Sequence, residues 1–243
     1  MSNRASLQRL WSSLRANQHL SQADRQALLS LPFTCRTLAA GDAIGRASDR
    51  IRLCAILVSG FAYCSKILPD GARQIVSVHV PADFFGLNNL FQPHNGHETR
   101  MLTPGEVASI AAHALETAIR ANPTLQGALW RQTAVEAAMF SEWLTNIGRR
   151  DAQGRIAHLL CEFAVRLRAA QAPESTRFEL PMTQAQLADT AGLTAVHVNR
   201  VLQSLRRAGL VELDKRKITI NDWEGLASMA DFDPAYLQSE RAT

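Results

Sequence analysis

The chain has 243 residues, 47% of them hydrophobic and 20% charged, with a formal net charge of +4. That length can bury one large core or two small ones, and the composition is that of an ordinary soluble globular protein. No stretch approaches the roughly 18 consecutive apolar residues of a membrane-spanning helix. The start, MSNRASLQRLWSSLRANQHL, lacks the continuous apolar segment of a secretory signal. The small positive excess permits an anionic partner without requiring one. Cys35, Cys54, Cys64 and Cys161 are widely spaced and form no C-x-x-C pair, which argues against a zinc knuckle or a redox dithiol. Reduced thiols acting as small buried hydrophobes in a cytoplasmic protein are the expectation.

Residues 1–30 have a helical texture, with Leu7, Leu10, Trp11 and Leu14 at helical spacing and Ser21 placed to cap QADRQALL. From about Leu31 to Ser109 short apolar runs are split by Gly, Asp and Pro. IRLCAILVSGFAYCSKIL predicts two strands joined near Ser59–Gly60, and PDGARQIVSVHV predicts a Pro-Asp-Gly turn followed by a strand. Strands this short and this closely spaced suggest a small sandwich or barrel.

Asn122–Pro123 then opens a helix, with the asparagine as cap and proline at the first helical position. The run up to Gly148 predicts about 25 helical residues, spanning roughly 38 Å. Leu125, Leu129, Met139, Phe140, Trp143 and Ile147 fall on one broad stripe that also contains Gln132 and Glu136. The stripe packs on its own domain or against a second copy, and the spacing leaves both open. Asp151 can cap the next helix, through GRIAHLLCEFAVRLRAA, and a loop is expected over residues 172–176.

MTQAQLADTAGLTAVHVNRVLQSLRRAGL, residues 182–210, is the most informative segment. Thr183 followed by Gln186 has capping-box spacing, Ala191–Gly192 ends that short helix, and Thr194 can cap a second one. Two helices joined by a tight glycine turn have the layout of a helix-turn-helix. Leu187, Ala188, Ala191, Leu193, Val198 and Val201 are apolar where the two helices must touch. At about 100° per residue, Val198, Val201, Leu202 and Leu205 face inward. Val196, Asn199, Arg200, Gln203 and Arg207 then face outward, with His197 on the flank. Asn and Gln pair bidentately with adenine and Arg with guanine in a major groove that admits one helix. A solvated polar face is the plainer explanation of such a pattern.

LVELDKRKITIND decides against that explanation, because it predicts a hairpin with a basic tip at Lys215, Arg216 and Lys217. Two of the chain's three lysines stand there, and residues 177–220 hold seven Arg or Lys against four acids, a net of +3 (7 − 4). Base readout is therefore assigned to Val196, His197, Asn199, Arg200 and Gln203. The phosphate backbone is assigned to Thr183, Thr194, Arg207, Lys215, Arg216 and Lys217.

These residues resemble the Crp/Fnr superfamily of bacterial transcription regulators along nearly the whole chain. MTQAQLADTAGLTAVHVNRVLQSLRRAGLVEL is similar to that family's winged helix, and FAYCSKILPDGARQIVSVHVPADFFGLNNLF to its effector-sensing β-roll. Residues 123–148 are similar to its dimerisation helix. The resemblance implies an α+β chain. Residues 1–121 would form a double-stranded β-helix or jelly-roll-like sensor with N-terminal helices, 122–149 the dimerisation helix, and 150–243 the winged helix-turn-helix. It also implies a homodimer on a palindromic duplex, regulated by a shift of the hinge near Gly148 to Asp151, with RNA polymerase as a further partner if it activates.

Departures from the family pattern narrow the expectations. Members that bind cyclic AMP carry Gly-Glu followed by Arg-Ser or Arg-Thr. Here Leu87 follows Gly86, and the nearest candidate pair, Thr99–Arg100, is reversed. Usual cyclic-nucleotide binding is therefore not expected, and an effector pocket is placed only at Phe85, Gly86, Leu87 and Arg100. No cysteine cluster precedes Cys35, which argues against an iron–sulfur sensor. Where many members have Glu, separated by three residues from the Arg that Arg200 matches, this chain has Val196, which cannot accept from cytosine but can pack on a thymine methyl. An unusual half-site follows.

HNGHE, residues 94–98, is read as a polar loop rather than a metal or haem site, and His79 as a satisfied strand residue. Cys54 and Cys64 could face each other across a hairpin, or one could sense oxidants. No G-x-S-x-G, Walker loop or carboxylate constellation occurs, so neither an enzyme nor a cofactor is expected. The alternative to a DNA-binding regulator is a ligand- or protein-binding module whose helix-turn-helix no longer reads DNA.

Overall fold

The computed structural model describes residues 7–8, 10–12, 14, 20–45, 53–91, 97–171 and 177–237, the side chains of 169–171 excepted. His94 to Gly96 and the loop expected at 172–176 lie outside the described residues. The chain divides into two compact units, residues 1–66 with 78–136, and residues 67–77 with 137–243.

In the first unit Leu7, Leu10, Trp11 and Leu14 are helical and buried. Helix α1 (Gln22–Leu29) opens with the Ser21 cap, whose hydroxyl accepts from Asp24 N while Asp24 accepts from Ser21 N at 2.8 Å. Strands β1 (Phe33–Leu38), β2 (Ala43–Gly45), β3 (Leu53–Ser59), β4 (Ala62–Ile67), β5 (Arg73–His79), β6 (Phe84–Phe85), β7 (Glu98–Met101) and β8 (Gly105–Ala111) follow. They form two four-stranded sheets, ordered β1-β8-β3-β6 and β2-β7-β4-β5.

Strand β3 is apolar almost throughout because both of its faces are covered. Cys54, Ile56 and Val58 join the core under the helices, with Leu7, Leu28 and Leu115. Ala55 and Leu57, pointing the other way, join Ile44, Ala62, Phe85 and Met101 between the sheets. Gly60 makes the change of sheet possible. Its φ of +79° favours glycine, and a Cβ there would lie 2.7 Å from Pro104 O. Strands β3 and β4 are accordingly in different sheets, so Cys54 and Cys64 do not face each other across a hairpin. The Cys54 thiol donates to Gly86 O, and Cys64 is paired in register with Thr99.

Strand β8 runs directly into helix α2 (Ala112–Ala121), which no glycine or proline announces. Asn122 serves the end of that helix, its Nδ2 donating to Ala118 O at 2.8 Å, rather than capping the next helix with its side chain. Helix α3 (Pro123–Arg149) still starts at the proline, and Thr124 Oγ1 donates to Asp24 Oδ1 at 2.6 Å.

In the second unit Asp151 Oδ1 accepts from Gly154 N at the start of helix α4 (Ala152–Gln171). Its Ile156, Leu160, Phe163 and Leu167 are buried. There follow strand β9 (Arg177–Glu179), helices α5 (Gln184–Ala191) and α6 (Ala195–Arg207), strands β10 (Val211–Asp214) and β11 (Lys217–Ile220), and helix α7 (Trp223–Ala230). Residues 73–77 of β5 belong to this second unit, and there Arg73 donates to the Asp189 carboxylate through Nε at 2.8 Å and Nη2 at 2.6 Å. Among the described residues no helix is long and apolar enough to cross a membrane.

Candidate nucleic-acid interface

The helix pair is built by its caps and its glycine. Thr183 Oγ1 accepts from Gln186 N, and Gln186 Oε1 accepts from Thr183 N at 2.8 Å, so two otherwise unpaired amides at the start of α5 are satisfied together. Gly192 then adopts φ +63° in the left-handed region and turns the chain. Thr194 Oγ1 accepts from His197 N to start α6. Leu187, Ala188, Ala191, Val198, Val201, Leu202 and Leu205 are buried at the contact, with Leu193 half-buried.

Turning those valines and leucines inward leaves the opposite face to solvent. Val196, His197, Asn199, Arg200 and Arg207 are exposed, and Gln203 is half-buried. Helix α6 thus presents amide and guanidinium groups along one row, with an aliphatic group at its N-terminal end. Thr183 and Thr194 are exposed at the two helix starts.

Strands β10 and β11 pair from Val211↔Ile220 to Asp214↔Lys217, with Lys215 in the left-handed region at the tip. Lys215, Arg216 and Lys217 are all exposed there. Strand β9, too short and too polar to be singled out in the sequence, adds a third strand by pairing Phe178 with Ile218. Arg177 on it lies 3.7 Å from Asp214.

The stripe on α3 divides differently from the six residues expected. Leu125 and Leu129 are in the core of the first unit and Trp143 is buried in the second, whereas Met139 and Ile147 are half-buried and Phe140 is 41% exposed. Trp130 and Leu144, outside the expected set, are 60% and 73% exposed. With exposed Ala134 and Ala137 they step along the helix at intervals of 4, 3 and 7. The expected stripe ran through other residues, and which of the helix's apolar rows stays uncovered was not legible in the spacing.

The chain matches the Crp-like helix-turn-helix domain over residues 154–229 and the cyclic nucleotide-binding domain over residues 35–122. A probable transcriptional activator of Rhizobium leguminosarum bv. viciae is 31% identical over 174 residues, covering 71% of each chain. The chain belongs to the Crp/Fnr family of transcription regulators. The transcriptional activator protein FnrL of Cereibacter sphaeroides is 28% identical over 204 residues, covering 82% of this chain and 81% of that one. The structure of FixK2 from Bradyrhizobium japonicum shares the fold, with a TM-score of 0.73 and 24% identity over 82% of this chain and 98% of that one. This Crp/Fnr chain is thus a DNA-binding transcription regulator of α+β architecture.

In the β-domain the residues expected at an effector pocket, Phe85, Gly86, Leu87 and Arg100, lie at and just after the end of β6 and in β7. Leu87 follows Gly86 and is buried in the helix-facing core, so no carboxylate is offered there to ribose. Phe85 points into the other core, stacked on His79 with centroids 4.3 Å apart. The Arg100 guanidinium is held by Glu98 Oε1 and Gly41 O, each at 2.7 Å. Hydrogen bonding to Glu98 raises its pKa above the usual value. Phe85 and Leu87 therefore enter different cores, and Arg100 has acceptors already. Among the described residues no group of three His, Cys, Asp or Glu could hold a metal ion.

Proposed function

We propose that the chain works as a homodimer on a palindromic operator, one α6 helix entering the major groove in each half-site, about one DNA turn apart. The outward row of α6 carries this reading: a helix whose inner face is complete still presents Asn199, Arg200 and Gln203 side by side. Val196, His197, Asn199, Arg200 and Gln203 read bases. Thr183, Thr194, Arg207, Lys215, Arg216 and Lys217 hold phosphate, so the wing grips the backbone while the helix reads. Residues 1–121 form the sensor, 122–149 the dimerisation helix and 150–243 the DNA-binding domain. The exposed α3 row of Trp130, Ala134, Ala137 and Leu144, flanked by Phe140, pairs the two copies, since its spacing is that of a coiled-coil seam.

Selection from a randomised duplex pool, followed by footprinting, tests the reading. The expected product is an inverted repeat. Arg200→Ala should cost about 1–3 kcal/mol and relax the preference at one position of each half-site. An Arg200→Ala protein that selects the unaltered sequence would remove α6 from base readout.

A further inference from the structure

Val196 is 71% exposed on the first turn of α6, and the fold makes no use of it there. Val198, Val201, Leu202 and Leu205 are all buried, so the inner face of the helix is complete without it. A β-branched residue also favours a helix less than alanine or a straight-chain residue does. An isopropyl group in this place therefore contributes neither packing nor propensity, and what accounts for it is the surface that covers it on docking.

Its surroundings restrict that surface. His197, Asn199 and Arg200 beside it are polar and exposed. Val196 precedes Arg200 by one turn, about 6 Å along the axis, close to two base-pair steps of about 3.4 Å. An Arg200 guanidinium seated on guanine O6 and N7 therefore sets Val196 over base edges rather than phosphates. Valine neither donates nor accepts. Against adenine, guanine or cytosine it would cover a polar atom without pairing it, which is costly. Thymine alone presents a methyl group in the major groove.

We propose that Val196 is a specificity-determining residue, its isopropyl group packing on the 5-methyl group of a thymine about one or two base pairs from the guanine read by Arg200. This deepens the DNA-reading proposal and rests on it.

The test uses the full chain and its selected operator, with each thymine of one half-site replaced in turn by deoxyuridine, which removes only the methyl group. One position should lose about fourfold in affinity, the worth of one buried carbon. Val196→Ala should bind the thymine and deoxyuridine operators equally. Val196→Glu should change the preferred base there from thymine to cytosine, whose N4 amino group donates to a carboxylate. Position 196 is exposed, so thermal melting should show both variants folded as the parent. If every deoxyuridine is tolerated while the operator is still preferred over random DNA, the thymine contact is wrong and DNA reading stands. Methyl dependence that survives in Val196→Ala overturns it equally. Failure to select any operator overturns both.

Discussion

The indole Nε1 of Trp143 donates to Glu162 Oε2 at 2.8 Å, joining the C-terminal part of α3 to a carboxylate in α4 that has no exposure to solvent. Tyr236 OH donates to the same oxygen at 2.8 Å, and Arg166 Nη1 lies 3.0 Å from the other. A buried carboxylate is tolerable only when its lone pairs are filled and a counter-charge is near, and here both conditions are met. Burial first, and the Glu162 charge second, push the Tyr236 phenol far above its usual range and keep it a donor.

Breaking this knot should cost more than removing one of its arms. Trp143→Phe keeps the packing and loses one hydrogen bond to a charged group, about 1.5–3 kcal/mol. Glu162→Ala removes the buried acceptor shared by Trp143, Tyr236 and Arg166, whose side chain is 9% exposed, and should cost about 3–5 kcal/mol. Urea denaturation followed by circular dichroism ranks the two; an unmoved midpoint in Glu162→Ala would deny the knot any role in stability.

His158 makes the second unit sensitive to acid. Burial, and then the nearby Arg150 guanidinium, lower its pKa from 6.5 to about 4. The Glu142 carboxylate 3.6 Å from Nε2 is shared with Arg150, which offsets its pull on a proton. The unfolded chain takes up a proton below 6.5 that the folded chain refuses until about 4. Stability from this group should fall by at most roughly 3 kcal/mol across that interval and level off below it. His158→Phe should flatten that part of the pH–stability curve; an unchanged slope would mean that the imidazole is not the responsible group.

The wing should act without regard to sequence. Lys215→Ala should weaken specific and random duplexes by a similar factor and lower the salt dependence of binding by about one ion per wing. Titrations at several salt concentrations read this directly. A loss confined to the selected operator would reassign Lys215 to base contact.

Leu144→Glu should separate the copies. The residue is 73% exposed in the single chain, so the substitution leaves the protomer core intact and places like charges opposite each other in the seam. Sedimentation should show half the parent mass, and operator affinity should fall. A Leu144→Glu protein that remains dimeric would move the seam elsewhere.

How much was legible in advance depends on how far apart the deciding atoms are in the chain. The start of α5, the Gly192 turn, the inner face of α6 and the basic hairpin tip are each settled within about a dozen residues, where capping, left-handed backbone and helical periodicity act. Those follow from the sequence alone. By contrast, Asn122 served the helix behind it, and β9 found its place only through a partner some 40 positions later in the chain.

Pattern alone established two short helices around a glycine, the polar row opposite their contact and the alternating strands, because backbone geometry ties each to residues nearby. Three-dimensional packing chose which apolar row of α3 is covered, sent β3 and β4 to separate sheets at Gly60, and brought Trp143, Arg166 and Tyr236 onto Glu162. Each of those outcomes turns on which distant surfaces exclude water from one another, and a stripe of hydrophobic residues says that it will be buried without saying by what.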